Sequence, residues 1–107
     1  MSYIKLEDGV SLEDILKDNK VVIIDFWAQW CGPCKSFGPI FEEVAKEKEG
    51  LAKFVKVDVD KNNKVASLYN IRSIPTVLFI KDGQVVKTRI GAMPKYELTE
   101  TVDVLLK

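Results

Sequence analysis

Apolar residues along this chain fall into blocks of two kinds. The run Val21-Val22-Ile23-Ile24-Asp25-Phe26-Trp27-Ala28 is apolar at nearly every position. That is too continuous for a strand with one wet face, and predicts a central strand covered by helices on both sides. Leu51 to Val59 reads as a second central strand, and Ile4 to Leu6 as a short first one. Thr76 to Ile80 and Gln84 to Ile90 are strands joined at Lys81-Asp82-Gly83, where Asp-Gly signals a hairpin turn. Elsewhere the period becomes helical. Leu12, Ile15 and Leu16 share one face of a short helix, opened by a capping-box-like Ser11-Leu12-Glu13-Asp14 with Ser11 as N-cap. Phe37, Ile40, Phe41, Val44 and Ala45 mark a longer helix over Lys35 to Gly50, which Pro39 should kink and Gly50 should stop. Val65, Leu68 and Tyr69 indicate a third helix. Pro94 suits the first turn of a last one, with Leu98, Val102 and Leu105 facing inward. The order is βαβαβ followed by αββα. The first half demands parallel pairing through crossover helices, and the hairpin adds antiparallel strands. The expected class is α/β: a mixed central sheet of about five strands flanked by about four helices.

With 107 residues, one domain spanning 1–107 is expected. The 16 basic and 16 acidic residues balance, which argues against a nucleic-acid or polybasic membrane partner. No apolar run approaches the roughly 20 residues of a membrane span. The opening Met1-Ser2-Tyr3-Ile4-Lys5 lacks the basic-then-apolar pattern of a secretion signal, so a cytoplasmic location is expected. The chain has no histidine, which removes His-based catalysis and His metal ligands together.

The only two cysteines stand in Cys31-Gly32-Pro33-Cys34, between the central strand and the long helix. In a reducing compartment such a close pair is redox-active or metal-binding more often than a structural staple. A structural zinc site wants four Cys or His ligands, and this chain offers two. A static disulfide or an inert thiol pair is the plainer alternative. The redox reading has a direct physical basis. A thiolate, not a thiol, attacks a disulfide. Cys31 at the start of a helix lies near unpaired backbone N–H groups and the positive end of the dipole, which favour the thiolate. Cys34, a turn further in, is better suited to resolving than to attacking, and Pro33 stiffens the loop between them. Asp25 interrupts the apolar strand. It is either a strand-end carboxylate reaching water or a buried carboxyl whose pKa is raised.

The string Trp30-Cys31-Gly32-Pro33-Cys34-Lys35 resembles the active site of the thioredoxin family. The resemblance extends through Asp25-Phe26-Trp27-Ala28, Pro39, Lys56 with Asp58 and Asp60, Ile74-Pro75-Thr76, Asp82-Gly83 and Gly91-Ala92. It implies a protein-disulfide reductase in which Cys31 attacks, Cys34 resolves, and the pair ends as a Cys31–Cys34 disulfide. It implies that Asp25 is the buried acceptor of the Cys34 proton and that Lys56 is its ammonium partner. It also implies a cis Ile74–Pro75 bond facing the cysteines, with the Ile74 backbone free to pair with an extended substrate. Trp30, Gly32, Pro33, Ile74, Pro75, Gly91 and Ala92 then form the docking surface, while Trp27 reads as core. Asp58 and Asp60 read as a solvated acidic pair without chemistry. Gln29 and Ser73 depart from the common pattern. The family implies no bound cofactor, electrons from NADPH through a thioredoxin reductase, and disulfide-containing protein targets such as reductases and peroxidases. A monomer is expected, with no nucleic acid or membrane partner. Two rivals remain: an oxidant or isomerase of the same fold, and a scaffold module whose thiols are incidental.

Overall fold

The computed structural model describes residues 2–7 and 9–107. Its elements run β1 (Tyr3–Lys5), α1 (Leu12–Asp18), β2 (Val21–Trp27), α2 (Gly32–Glu47), β3 (Lys53–Asp58), α3 (Asn63–Leu68), β4 (Thr76–Lys81), β5 (Gln84–Ile90) and α4 (Lys95–Leu105). The strands form one sheet in the order β1-β3-β2-β4-β5. β3 pairs in parallel with both β1 and β2, while β4 is antiparallel to both β2 and β5. Among the described residues no helix is long and apolar enough to cross a membrane.

β2 is the middle strand, and its alternate side chains feed two cores. Val21 and Ile23 join Phe37, Phe41 and Val44 of α2 and Leu98, Val102 and Leu105 of α4 on one face. Val22, Ile24 and Phe26 join Leu12 and Ile15 of α1 and Ala66 of α3 on the other. This two-sided cover is why β2 lacks a polar alternation. The hairpin follows its sequence: Asp82 and Gly83 take φ of 52° and 80°, the left-handed pair of a type I′ turn. Ser11 caps α1 by accepting the Asp14 N–H at 3.2 Å.

Three expectations are corrected. α2 starts at Gly32, in keeping with Cys31 at the start of a helix, and not at Lys35, because Cys31 caps it and Pro33 sits in its first turn, ahead of the first apolar position of the helical pattern. α2 also stops at Glu47. Gly50, at φ 83°, belongs to the following turn and carries Leu51 out to solvent before β3 begins. In α3, Ala66 faces the core and Leu68 is exposed, because residues two apart point to opposite sides of a helix.

Candidate active site

The loop leaving β2 is short and fully tied down. Cys31 N–H donates to the Ala28 carbonyl at 3.2 Å, and the Cys31 carbonyl accepts the first helical bond from Lys35 N–H at 3.2 Å. Cys31 is thus the N-cap of α2, with extended dihedrals of −94° and 109°. Its Sγ accepts the Cys34 N–H at 3.2 Å, and Cys31 and Cys34 are joined as a disulfide with Cα atoms 5.2 Å apart. Pro33 has no N–H, so the Cys34 amide is the donor aimed at the capping sulfur. Negative charge placed on Cys31 Sγ therefore meets an N–H and a helix N-terminus together. Both cysteines are buried, Cys34 (2%) slightly more than Cys31 (6%). Among the described residues no group of three or more His, Cys, Asp or Glu side chains is placed to hold a metal ion.

Asp25 follows Val21 and Ile23 on the face of β2 beneath α2, the helix that carries Cys34. It does not reach water. Its side chain is fully buried, and among the described residues neither carboxylate oxygen has a hydrogen-bond partner. Its pKa is pushed up to about 7, chiefly by burial; Lys56 pulls it down and Glu42 pushes it up. Lys56 lies directly beside Asp25 in the β2–β3 register. Its ammonium, however, bonds Glu42 Oε2 of α2 at 2.9 Å, not Asp25. It also lies 4.9 Å from the Trp27 ring centre and 5.6 Å from that of Tyr3.

A second loop closes over the cysteines. The Ile74–Pro75 bond is cis, and the Ile74 carbonyl oxygen lies 3.9 Å from Cys31 Sγ. Thr76 Oγ1 donates to the Ser73 carbonyl at 2.5 Å, holding this turn. The Pro75 carbonyl accepts the Gly91 N–H at 2.8 Å, and Gly91 takes φ 90°, which a glycine adopts freely. Three segments thus converge, at residues 28–34, 73–76 and 91. Around them Trp30, Gly32, Pro33 and Ala92 are exposed, and Ile74 and Gly91 half-buried. Pro75 is buried, as are both cysteines. Trp27 is half-buried beneath Lys56, and Trp30 is 70% exposed.

Of the acidic pair expected to be solvated, Asp60 is exposed and Asp58 is not. Asp58 is buried, its Oδ1 accepting the Asp60 N–H at 2.9 Å, and Asp60 accepts the Trp30 indole N–H at 2.8 Å. These two residues fix an exposed tryptophan, which charge alone could not reveal. Glu42 was missed for a similar reason: on sequence it belongs to the polar face of an amphipathic helix, and only the strand register beneath α2 brings it to Lys56. A groove of about 780 Å³ between β5 and α4 shares no residue with the cysteine site. The cysteines lie at a surface of converging loops, a shape suited to a protein segment more than to an enclosed small molecule.

Residues 4–104 match the family model named Thioredoxin. The chain is similar to thioredoxin of Mycoplasmoides gallisepticum, 57% identical over 95 residues that cover 89% of this chain and 94% of that one. It is similar to thioredoxin of Chlorobaculum thiosulfatiphilum, at 45% identity with 94% of each chain covered. Among solved structures, a mutant thioredoxin from Halobacterium salinarum superposes with a TM-score of 0.89 at 32% identity, covering 99% of this chain and 93% of that one.

Proposed function

The chain belongs to the thioredoxin family, a dithiol disulfide reductase that acts on disulfide-containing targets, and on that premise we propose how its residues divide the work. Cys31 thiolate attacks one sulfur of the target disulfide. A Cys31–target bond forms, and the other target sulfur leaves as a thiolate. Cys34 then loses its proton to the Asp25 carboxylate and attacks Cys31 Sγ. The second target thiolate departs, two electrons have moved to the target, and the Cys31–Cys34 disulfide remains. The observation that carries this assignment is the capping position of Cys31: its sulfur takes the Cys34 N–H and sits 3.9 Å from the Ile74 carbonyl oxygen. An extended target strand that pairs with the Ile74 backbone brings its own sulfur to Cys31. Trp30, Gly32, Pro33, Gly91 and Ala92 complete that surface, and Lys56 stands beside the proton acceptor.

In this reading the disulfide is the whole redox group, so the chain binds no cofactor. Electrons come from NADPH through a thioredoxin reductase, and the protein works as a monomer in the cytoplasm, where thiols are kept reduced. The test is a coupled assay with NADPH, a thioredoxin reductase and insulin as disulfide substrate. The parent chain supports NADPH oxidation, and the Cys31→Ser, Cys34→Ser double variant supports none. A parent chain that supports no more NADPH oxidation than the double variant contradicts the dithiol assignment and leaves the scaffold reading.

A further inference from the structure

Asp25 and Lys56 face each other on neighbouring central strands, yet do not bond. A flexible ammonium beside a buried carboxyl should pair with it, because burial makes an unpartnered charge costly. Here the Lys56 ammonium is engaged elsewhere. Glu42 holds it at 2.9 Å, and the Trp27 and Tyr3 rings flank it. The Lys56 side chain is 10% exposed and that of Glu42 39%, so the pair leads from the interior toward solvent. The sequence also leaves room for it. Gly38 lies inside α2, where glycine weakens a helix, and a Cβ there would stand 3.5 Å from Lys56 Nζ and 3.8 Å from Glu42 Oε2. A Cβ at those distances makes ordinary van der Waals contact, and only atoms beyond it would crowd the place where the two side chains meet.

We infer that Glu42 is a positioning residue for the proton acceptor: by holding the Lys56 ammonium off the Asp25 carboxyl, it keeps that carboxyl a stronger base than a direct ion pair would allow. The charged groups involved are few. Lys56 faces Asp25 from β3, and Glu42 reaches it from α2, which also carries Cys34. From β4 the register partner is the uncharged Val77. α1 and α3 pack on the opposite face. With Glu42 removed, Lys56 is free to turn to Asp25, and an opposite charge that close favours ionisation.

The inference rests on Asp25 being the acceptor, but its test needs no target protein. The Asp25 carboxyl carbon is titrated by NMR in the oxidised protein, where neither cysteine ionises. In Glu42→Gln the Asp25 midpoint falls by about one pH unit. In Lys56→Met it rises, and adding Glu42→Gln to that variant moves it by only a small fraction of the first shift. Two results overturn the inference: an unmoved midpoint in Glu42→Gln, or an equal shift with and without Lys56, which assigns the effect to the charge of Glu42 alone. Neither result alters the roles of the cysteines, which the coupled assay reads separately.

Discussion

Replacing Cys34 with serine is expected to turn a catalyst into a covalent trap. Attack by Cys31 leaves the target bonded to Cys31 Sγ, and release needs a second sulfur held against that bond. Cys34 is the only other cysteine in the chain, and its backbone N–H already touches Cys31 Sγ at 3.2 Å. A serine hydroxyl at this position is not ionised near neutral pH and does not displace a thiolate from sulfur. Intact-mass analysis of Cys34→Ser, mixed with an oxidised target, should show near-stoichiometric adduct that dithiothreitol reverses, while turnover falls by orders of magnitude. Cys31→Ser should give no adduct. If instead Cys31→Ser accumulates adduct and Cys34→Ser does not, the assigned roles are reversed.

Asp25→Asn should make the protein more stable and a slower catalyst, both in a pH-dependent way. The folded-state pKa of Asp25 is about 7, against an ordinary value of 3.8. Folding therefore holds this proton more tightly than the unfolded chain does. Between those two values the folded state binds more protons, so stability falls as pH rises, then levels off above about 7. Each pH unit of that window is worth about 1.4 kcal/mol, which puts the burden of the ionised carboxyl at several kcal/mol above neutrality. Asparagine removes the charge but leaves a buried amide without partners, which trims the gain. Urea unfolding should show Asp25→Asn more stable than the parent by about 2–4 kcal/mol at pH 8, with the advantage lost or reversed near pH 4. Resolution of the mixed disulfide should slow most above neutrality, where the parent carboxyl is ionised. A stability difference that stays constant from pH 4 to 8 excludes Asp25 as the titrating group.

Much of this architecture was legible before any coordinates, for identifiable reasons. The nearly continuous apolar run of β2 admits burial on both faces and little else. Asp82-Gly83 writes its turn directly, and the helical spacing of Phe37, Phe41 and Val44 survives in the core that α2 builds. The boundaries of α2 were less legible, because its first turn is made by a cap and a proline with no periodic apolar residue. The site divided along the same line. Cys31, Cys34 and Asp25 declare themselves by chemistry that is unusual in its setting: a close thiol pair, and a carboxyl in an apolar strand. Glu42, Asp58 and Asp60 are ordinary acids in the sequence. They acquire meaning only through contacts far along the chain, Glu42 with Lys56 and Asp60 with Trp30. Pro75 likewise meets Gly91 only in the fold, its carbonyl accepting the Gly91 N–H.

The reductive direction of the chemistry is the central claim, since the same two sulfurs run either way according to their potential. The direct measurement is the reduction potential of the Cys31–Cys34 couple, from equilibration in graded dithiothreitol buffers and the mass shift on alkylation. A value of about −270 mV or lower, the range characteristic of thioredoxins, is the result expected of a dithiol that delivers electrons to protein disulfides. A value between about −180 and −120 mV would mark an oxidant or isomerase and contradict the account.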